Sequence, residues 1–235
     1  MTGWVDRDEL HGGWNSSQEI IVLCVRWYVT CRLSYRDLAG RGVYVVHPAI
    51  FRWVPRHIPE YVRRWDCHRQ GVRCSWRAGE TSILVEGRRH YLYRAVDKRG
   101  RSVDSYGSEH RDIVAAMAFF RKAVATHRRK PPRNVTVVGN RAAHRPLRLL
   151  RRRNFTWRRA SVRSCQSLDY VVEDDCRAIK RRVSAMLGFK SFASASTTLM
   201  GIELAHPIRK YQFSVRYGRS GHYGSKARAW SLALT

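Results

Sequence analysis

Three short runs of β-forming residues follow one another in the middle of the chain and restrict its fold more than any other feature. The runs are TSILVEG, RHYLYRAVD and RSVDSYG, over residues 81–87, 89–97 and 101–107. Gly87 separates the first two runs, and the segment Asp-Lys-Arg-Gly at 97–100 separates the second from the third. Turn residues between strand-like runs are signals for β-hairpins. The sequence therefore predicts three consecutive antiparallel strands.

Helical and strand-like segments alternate after these runs. The predicted helices cover residues 111–127, 147–153, 168–182 and 193–210, and the predicted strands cover 134–138 and 159–163. The first of these helices has one apolar stripe, formed by Ile113, Ala116, Met117, Phe120 and Val124, which indicates packing on a core. Three antiparallel strands followed by this alternation predict an α/β fold, an RNase H-like mixed sheet with flanking helices.

A small group of helices is predicted before the strands. The segments are residues 19–30, the sequence SYRDLAG at 34–40 and the sequence HPAIFRWVPRH at 47–57. They carry Arg36, Arg52 and Arg56, and three short basic helices favour a helix-turn-helix in which the third helix reads DNA. A small helical packing unit with solvated arginines is the alternative.

Changes in composition suggest the domain organisation. Pro59 and many arginines over residues 57–74 indicate a connector rather than a regular element. We expect a flexible arm at 1–17, a helix-turn-helix-like DNA-binding domain at 18–62, a basic connector at 63–74, an RNase H-like catalytic domain at 75–212 and a flexible basic tail at 213–235.

The net charge of the chain limits the classes of partner that it is expected to bind. Its 45 Lys and Arg residues against 18 Asp and Glu residues give a net charge of +27 and a pI near 11.0. Such a surface binds polyanions by releasing their condensed counterions. A basic membrane-surface protein would need a long amphipathic helix with a Trp, Phe and Leu face, and the sequence has none. We therefore expect nucleic acid as the partner and no membrane.

The cysteines and the first residues of the chain are informative about metal binding and about the cellular location of the protein. None of the six cysteines forms a C-x-x-C pair, so the usual zinc spacings are missing, and Cys67, His68 and Cys74 form only a loose cluster. The first residues are polar and acidic, unlike a signal peptide, and the apolar run at 20–28 is interrupted by Arg26. We expect a soluble protein of the bacterial cytoplasm, associated with the nucleoid.

The segment LDYVVEDDCRAIKRR at 168–182 is a candidate for chemistry. Glu173 and Lys180 are seven residues apart, close to two helical turns, so they project from one face. A carboxylate and a cation in this arrangement can hold a metal and a phosphate side by side. The alternative is a solvated helix whose acidic start and basic end suit the macrodipole.

Several separated motifs, in order, resemble the bacterial insertion-sequence transposases of the IS-six family. They are LCVRWYVTCRLSYRDL, HPAIFRWV, YLYRAVDKRG, the helix around Glu173, MLGFKSF and GIELAHPIRKYQF, and together they span residues 18–213. The resemblance implies an N-terminal helix-turn-helix that binds the terminal inverted repeats of double-stranded DNA. It also implies an RNase H-like domain of the DDE type that cuts and joins strands with two Mg²⁺ ions.

The same resemblance implies which residues contact DNA and which partners assemble. The DNA contacts would be Arg36, His47, Arg52, Arg56, Arg177 and Lys180. The partner protein would be a second copy, in a homodimer, or an intact transposase, in a mixed dimer.

The positions of two family carboxylates hold other residues here. The family places its first Asp before Glu-Thr, where this chain has Gly79, and its second Asp before a Gly, where this chain has Val138. Glu173 matches the third carboxylate and Lys180 the cation two turns later, with the family's 34 residues between Val138 and Glu173. The spacing is retained, and Glu173 is the one acid left for a metal.

Neighbouring polar residues are poor substitutes. Period-two alternation points Glu80 to the opposite face of the sheet from Gly79, Glu86 lies at the hairpin turn, and Asn140 follows the strand end. One carboxylate cannot hold two Mg²⁺ ions, which dehydrate reluctantly. The sequence therefore predicts a degenerate copy with impaired catalysis. The alternatives are a DNA-binding protein that occupies terminal repeats or inhibits intact relatives, and a product without a selected role.

Overall fold

The computed structural model describes residues 18–31, 33, 35–39, 45–127, 131–138, 144–165, 170–185, 189–213 and 230. The predicted arm at 1–17 lies outside the described residues, as does the predicted tail beyond 213 apart from Trp230. The chain falls into two compact units, one drawing on residues 1–69, 185–187 and 193–235 and the other on 70–184 and 188–192. Residues 193–212, expected in the catalytic domain, group with the first unit.

The first unit is helical. It contains α1 (Gln18–Thr30), α2 (Tyr35–Ala39) and α3 (His47–Asp66), and, from Ala193 onward, the last helix of the chain, α7 (Phe192–Arg209). Among the described residues no helix is long and apolar enough to cross a bilayer.

Helix α3 corrects the prediction of a connector over residues 57–74, because it continues as far as Asp66 with Pro55 and Pro59 inside it. Its apolar side chains recur every three or four residues and are buried, at Ile50, Trp53, Val54, Ile58, Tyr61 and Trp65. Each proline removes one helical hydrogen bond, whereas this stripe removes several large side chains from water. The prolines themselves lie on the exposed side. Burial therefore outweighs the local signals that favour a stop.

Ion pairs within the last turns add to this helix. The Nε atoms of Arg63 and Arg64 donate to Glu60 at 2.8 and 2.7 Å. Burial raises the pKa of Glu60, but the hydrogen bonds from both arginines outweigh that effect and leave this pKa below its ordinary value. The carboxylate thus holds two cations at the end of α3.

Gly201 lets α7 approach its neighbours closely. A Cβ atom on Gly201 would lie 2.5 Å from Cδ1 of Ile58 and 2.6 Å from Cγ1 of Val29. These atoms belong to α3 and α1, so a single glycine permits three helices to meet. A side chain at this position would force them apart.

We expect Gly201→Ala to lower the melting temperature of the protein. Overpacking costs roughly 1–3 kcal/mol, which exceeds the gain of about 1 kcal/mol in helix propensity. Gly71→Ala is the matched control, because a Cβ atom there meets nothing within 4 Å. Thermal unfolding followed by circular dichroism measures both. An unchanged melting temperature for Gly201→Ala would contradict the close approach.

The second unit is built on a five-stranded sheet in the order β3-β2-β1-β4-β5. The strands are β1 (Ser75–Val85), β2 (Arg88–Asp97), β3 (Ser102–Ser108), β4 (Asn134–Val138) and β5 (Ser161–Cys165). The first three pair antiparallel, and β4 and β5 run parallel to β1. This arrangement confirms the predicted RNase H-like mixed sheet.

Local signals placed most of these strands correctly. Glu86 and Gly87 join β1 to β2 with φ angles of 52° and 72°, the positive values that a two-residue hairpin turn requires. Strand β5 begins at Ser161, two residues later than predicted. The delay arises because Trp157 is buried in a 3₁₀ turn (Phe155–Trp157) that holds the preceding segment.

Helices cover both faces of the sheet. On one face α4 (Ile113–Thr126) and α5 (His144–Arg153) share a core with Trp76, Val135 and Trp157. On the other, α6 (Tyr170–Ala185) packs Val172 and Cys176 against Val96 of β2. Trp53 and Trp76 belong to the cores of the first and second units, since each is 1% exposed.

Candidate functional site

The first two expected site positions lie side by side in the sheet. Gly79 is in the middle of β1, and Val138 is the last residue of the shorter β4. The parallel pairing of these strands runs through Ala78 opposite Val137. The next step in the same register sets Gly79 beside Val138. The structure therefore brings together the two positions that the resemblance to the family indicated.

The third position is close to the first because α6 lies against Gly79. A Cβ atom on Gly79 would be 2.8 Å from Cγ1 of Val172, the residue before Glu173. Real Cβ atoms do not approach a carbon atom so closely, so Val172 occupies the space that a side chain at position 79 needs. The first turn of α6 thus sits directly over the central strand.

Glu173 itself is partly solvated. Its side chain is 37% exposed, and its Oε1 atom lies 3.6 Å from Nη2 of Arg177 one turn later. Arg177 also approaches Asp174 at 3.4 Å, with half of its own side chain exposed. Exposed pairs of this kind contribute little stability. Lys180 is exposed one further turn along the helix, so a carboxylate and two cations line this part of α6.

A buried ion pair that sequence reasoning missed supports this region. Arg94 is the cross-strand partner of Gly79 and is fully buried. Its Nε atom donates to Oδ2 of Asp175 at 2.7 Å, and its Nη2 atom donates to the hydroxyl of Ser102 at 3.1 Å. The pair connects α6 to β2 beside Gly79. The carboxylate of Asp175 is therefore already paired with a cation. An arginine inside the apolar run YLYRAVD was the signal, because a buried charge needs a partner.

The neighbouring acids point elsewhere. Oε1 of Glu80 accepts a hydrogen bond from Nε of Arg111 at 2.6 Å. The cross-strand partner of Glu80 is Tyr93, which stacks on Phe119 of α4, so Glu80 lies on the α4 face of the sheet. This confirms that Glu80 and Gly79 face opposite ways. Glu86 is exposed in the hairpin turn, and Asn140 lies outside the described residues.

The basic residues expected to contact DNA are described mostly in the first unit. Arg36 is exposed on α2, and Arg52 and Arg56 are exposed on α3. The Nε atom of Arg52 approaches the carbonyl of Pro48 at 3.4 Å. His47 is the first residue of α3, and its side chain lies outside the described part of the chain. The helix-turn-helix reading and these contacts stay predictions.

The residues present do not fit a pair of magnesium ions. Gly79 and Val138 supply no side-chain oxygen, Asp175 is paired with Arg94, and Glu173 leaves one carboxylate. Mg²⁺ needs several hard oxygen ligands in a near-octahedral arrangement. Within the described residues no three His, Cys, Asp or Glu side chains cluster closely enough to hold a metal, and this includes Cys67, His68 and Cys74.

A mixed sheet with an acid-bearing helix over its central strand defines an RNase H-like domain. A family model for the DDE domain matches residues 73–212. The transposase for insertion sequence element IS257 in transposon Tn4003 of Staphylococcus aureus is 29% identical over 198 residues, which are 83% of this chain and 86% of that protein. The transposase for insertion sequence-like element IS431mec of S. aureus strain Mu50 is 28% identical with the same coverage.

One solved structure also aligns, the simian T-cell lymphotropic virus intasome in complex with PP2A regulatory subunit B56 gamma. The alignment covers 88% of this chain and 72% of the chain in that structure, at 10% identity and a TM-score of 0.42. The chain belongs to the DDE-domain family of insertion-sequence transposases, as the motifs in its sequence indicated.

The contact between position 79 and Val172 generates a stability prediction. We expect Gly79→Asp alone to lower the melting temperature, because the side chain of Val172 is stiff at χ1 in a helix and cannot easily move aside. Combining it with Val172→Ala should recover part of the loss. A double-mutant cycle should give a favourable coupling of about 1 kcal/mol or more. Strict additivity of the two changes would show that position 79 does not press on Val172.

Proposed function

We propose that this chain is a transposase-family protein in which strand cleavage and transfer are impaired. The observation that carries the proposal is the site itself, where two adjacent sheet positions beside α6 are Gly79 and Val138. Glu173 then stands as the single remaining acid. The ancestral chemistry is phosphoryl transfer, in which two metal ions clamp the attacking and leaving oxygens.

The free energies involved favour a large loss of reaction rate. Losing about 4 kcal/mol of transition-state stabilisation slows a reaction roughly a thousandfold. Two missing ligands remove at least that much if they leave the metal pair unbound, because a single carboxylate cannot offset the hydration of Mg²⁺.

The alternative function is DNA binding without chemistry. The net charge of +27 and the exposed Arg52 and Arg56 on α3 favour it. Such a protein would occupy the terminal inverted repeats as a homodimer, or join intact relatives in mixed dimers and inhibit them. A bacterial cytoplasmic location at the nucleoid is part of the same proposal.

Strand cleavage tests the main proposal. We expect the chain to leave a duplex carrying inverted repeats intact with Mg²⁺ or Mn²⁺. A Gly79→Asp, Val138→Asp, Val172→Ala variant should gain metal-dependent nicking, measured on end-labelled DNA, because it offers three carboxylates without the clash at Val172. Adding Glu173→Gln should remove that activity. Efficient cleavage by the unaltered chain, or cleavage that survives Glu173→Gln, would overturn the proposal.

Repeat binding tests the alternative. We expect tighter binding to an inverted-repeat duplex than to its scrambled version at about 150 mM salt, since phosphate contacts alone do not distinguish sequences. Arg52→Gln with Arg56→Gln should lower affinity and reduce the salt slope by about 0.9 for each phosphate that the variant no longer neutralises. Arg88→Gln with Arg89→Gln is the control of equal charge. Equal affinities for both duplexes would leave nonspecific attraction alone.

A further inference from the structure

A long stretch of the second unit has no acidic residue. Between Asp112 and Asp169 lie 56 residues with no Asp or Glu and 15 Lys or Arg. The cations of this stretch therefore have no sequence-local partners to neutralise them. Helix α5 and the 3₁₀ turn after it form the described centre of the stretch. We call their exposed arginines, together with Phe155, the α5 surface.

Helix α5 is amphipathic, with buried apolar residues on one side and exposed arginines on the other. Its apolar residues Leu147 and Leu150 are buried in the core of the second unit. Arg145, Arg148 and Arg152 are exposed. Their spacing of three and four residues puts them in one stripe that rises roughly 10 Å along the helix. Arg151 and Arg153 are exposed beside it, so the stripe can follow successive phosphates of one strand.

An aromatic ring stands at the end of this stripe. Phe155 is 80% exposed, more than any other large hydrophobic side chain in the described part of the chain. Its turn is fixed, because Oδ1 of Asn154 accepts hydrogen bonds from the backbone N–H and the hydroxyl of Thr156 at 3.0 and 2.7 Å. Trp157 is buried and packs edge-on to Phe120 at 5.8 Å. The ring of Phe155 is thus held outward by an anchored turn.

We propose that the α5 surface binds an unpaired DNA strand, with its phosphates on the arginine stripe and a base stacked on Phe155. A cationic groove or stripe with an exposed aromatic ring is the usual chemistry of single-strand recognition, because every base has a π face. In a duplex the bases are already stacked, so Phe155 would gain nothing there. The proposal shares with the proposed function only the choice of DNA as partner.

Other partners fit this surface less well. Insertion into an anionic membrane needs an exposed apolar helix face, and α5 has none, because Leu147 and Leu150 are buried and Leu149 is partly buried against the same core. An acidic protein would account for the arginines but would leave the exposed ring of Phe155 unexplained. Membership in a DNA-processing family favours nucleic acid over both.

The test uses the full chain and fluorescence anisotropy. The probes are labelled oligothymidine of about thirty nucleotides and its duplex with oligoadenosine. We expect Phe155→Leu to weaken single-strand binding at least about fivefold and to change duplex binding by less than about twofold. Arg148→Gln with Arg152→Gln should weaken single-strand binding and lower its salt slope by about 0.7 for each arginine. Arg88→Gln with Arg89→Gln, exposed in the β1–β2 hairpin, is the control of matched charge.

Two outcomes of the DNA-binding measurements would overturn the proposal. One is single-strand binding by Phe155→Leu equal to that of the parent, with all variants unfolding at the same temperature. The other is an equal loss for the α5 pair and the hairpin pair, which would indicate diffuse attraction. The proposal is also rejected if Phe155→Leu weakens binding to phosphatidylserine vesicles but does not weaken binding to single-stranded DNA. That result would assign the surface to membranes. Inverted-repeat binding is measured in parallel, so failure here is distinguishable from failure of the proposed function.

Discussion

The packing of α6 on the sheet is the constraint on which the candidate site depends. Two contacts fix it: Val172 lies against the backbone of Gly79, and the buried Arg94 pairs with Asp175. Removing one partner of a buried pair costs about 3–5 kcal/mol, because the other charge is left uncompensated. The position of this helix therefore determines how closely Val172 approaches Gly79 and which charged groups lie beside the candidate site.

Those contacts also explain why the site is more than a set of missing ligands. A glycine at position 79 allows the helix to come closer than a carboxylate would. The cross-strand arginine then finds its counter-ion on the helix rather than in the sheet. The region is a packed and internally paired junction between α6 and β1–β2. That is a structural role, which selection can maintain without any chemistry.

Local signals predicted the elements whose structure is decided locally. The hairpin between β1 and β2 follows from a turn that needs positive φ, and α4 follows from one apolar stripe. Helix α3 was predicted too short, because Pro59 and the arginines of residues 57–74 were taken as signs of a connector, although tertiary burial overrides them. In the same way the buried Trp157 shifts the start of β5.

The candidate site was likewise predictable from the sequence only in part. The resemblance to the family located Gly79, Val138 and Glu173, since the order of motifs and the distances between them are visible in the sequence. The Arg94–Asp175 pair joins residues 81 positions apart, and no local pattern announces which acid will meet which base. The approach of Val172 to Gly79 is likewise a property of three-dimensional packing alone.

The contact at Val172 gives the proposed history of this protein a direction. Because Val172 fills the space that a side chain at position 79 needs, restoring an acid there first passes through a less stable protein. Return to the proposed ancestral reaction would therefore require a change at position 172 as well as at the two ligand positions.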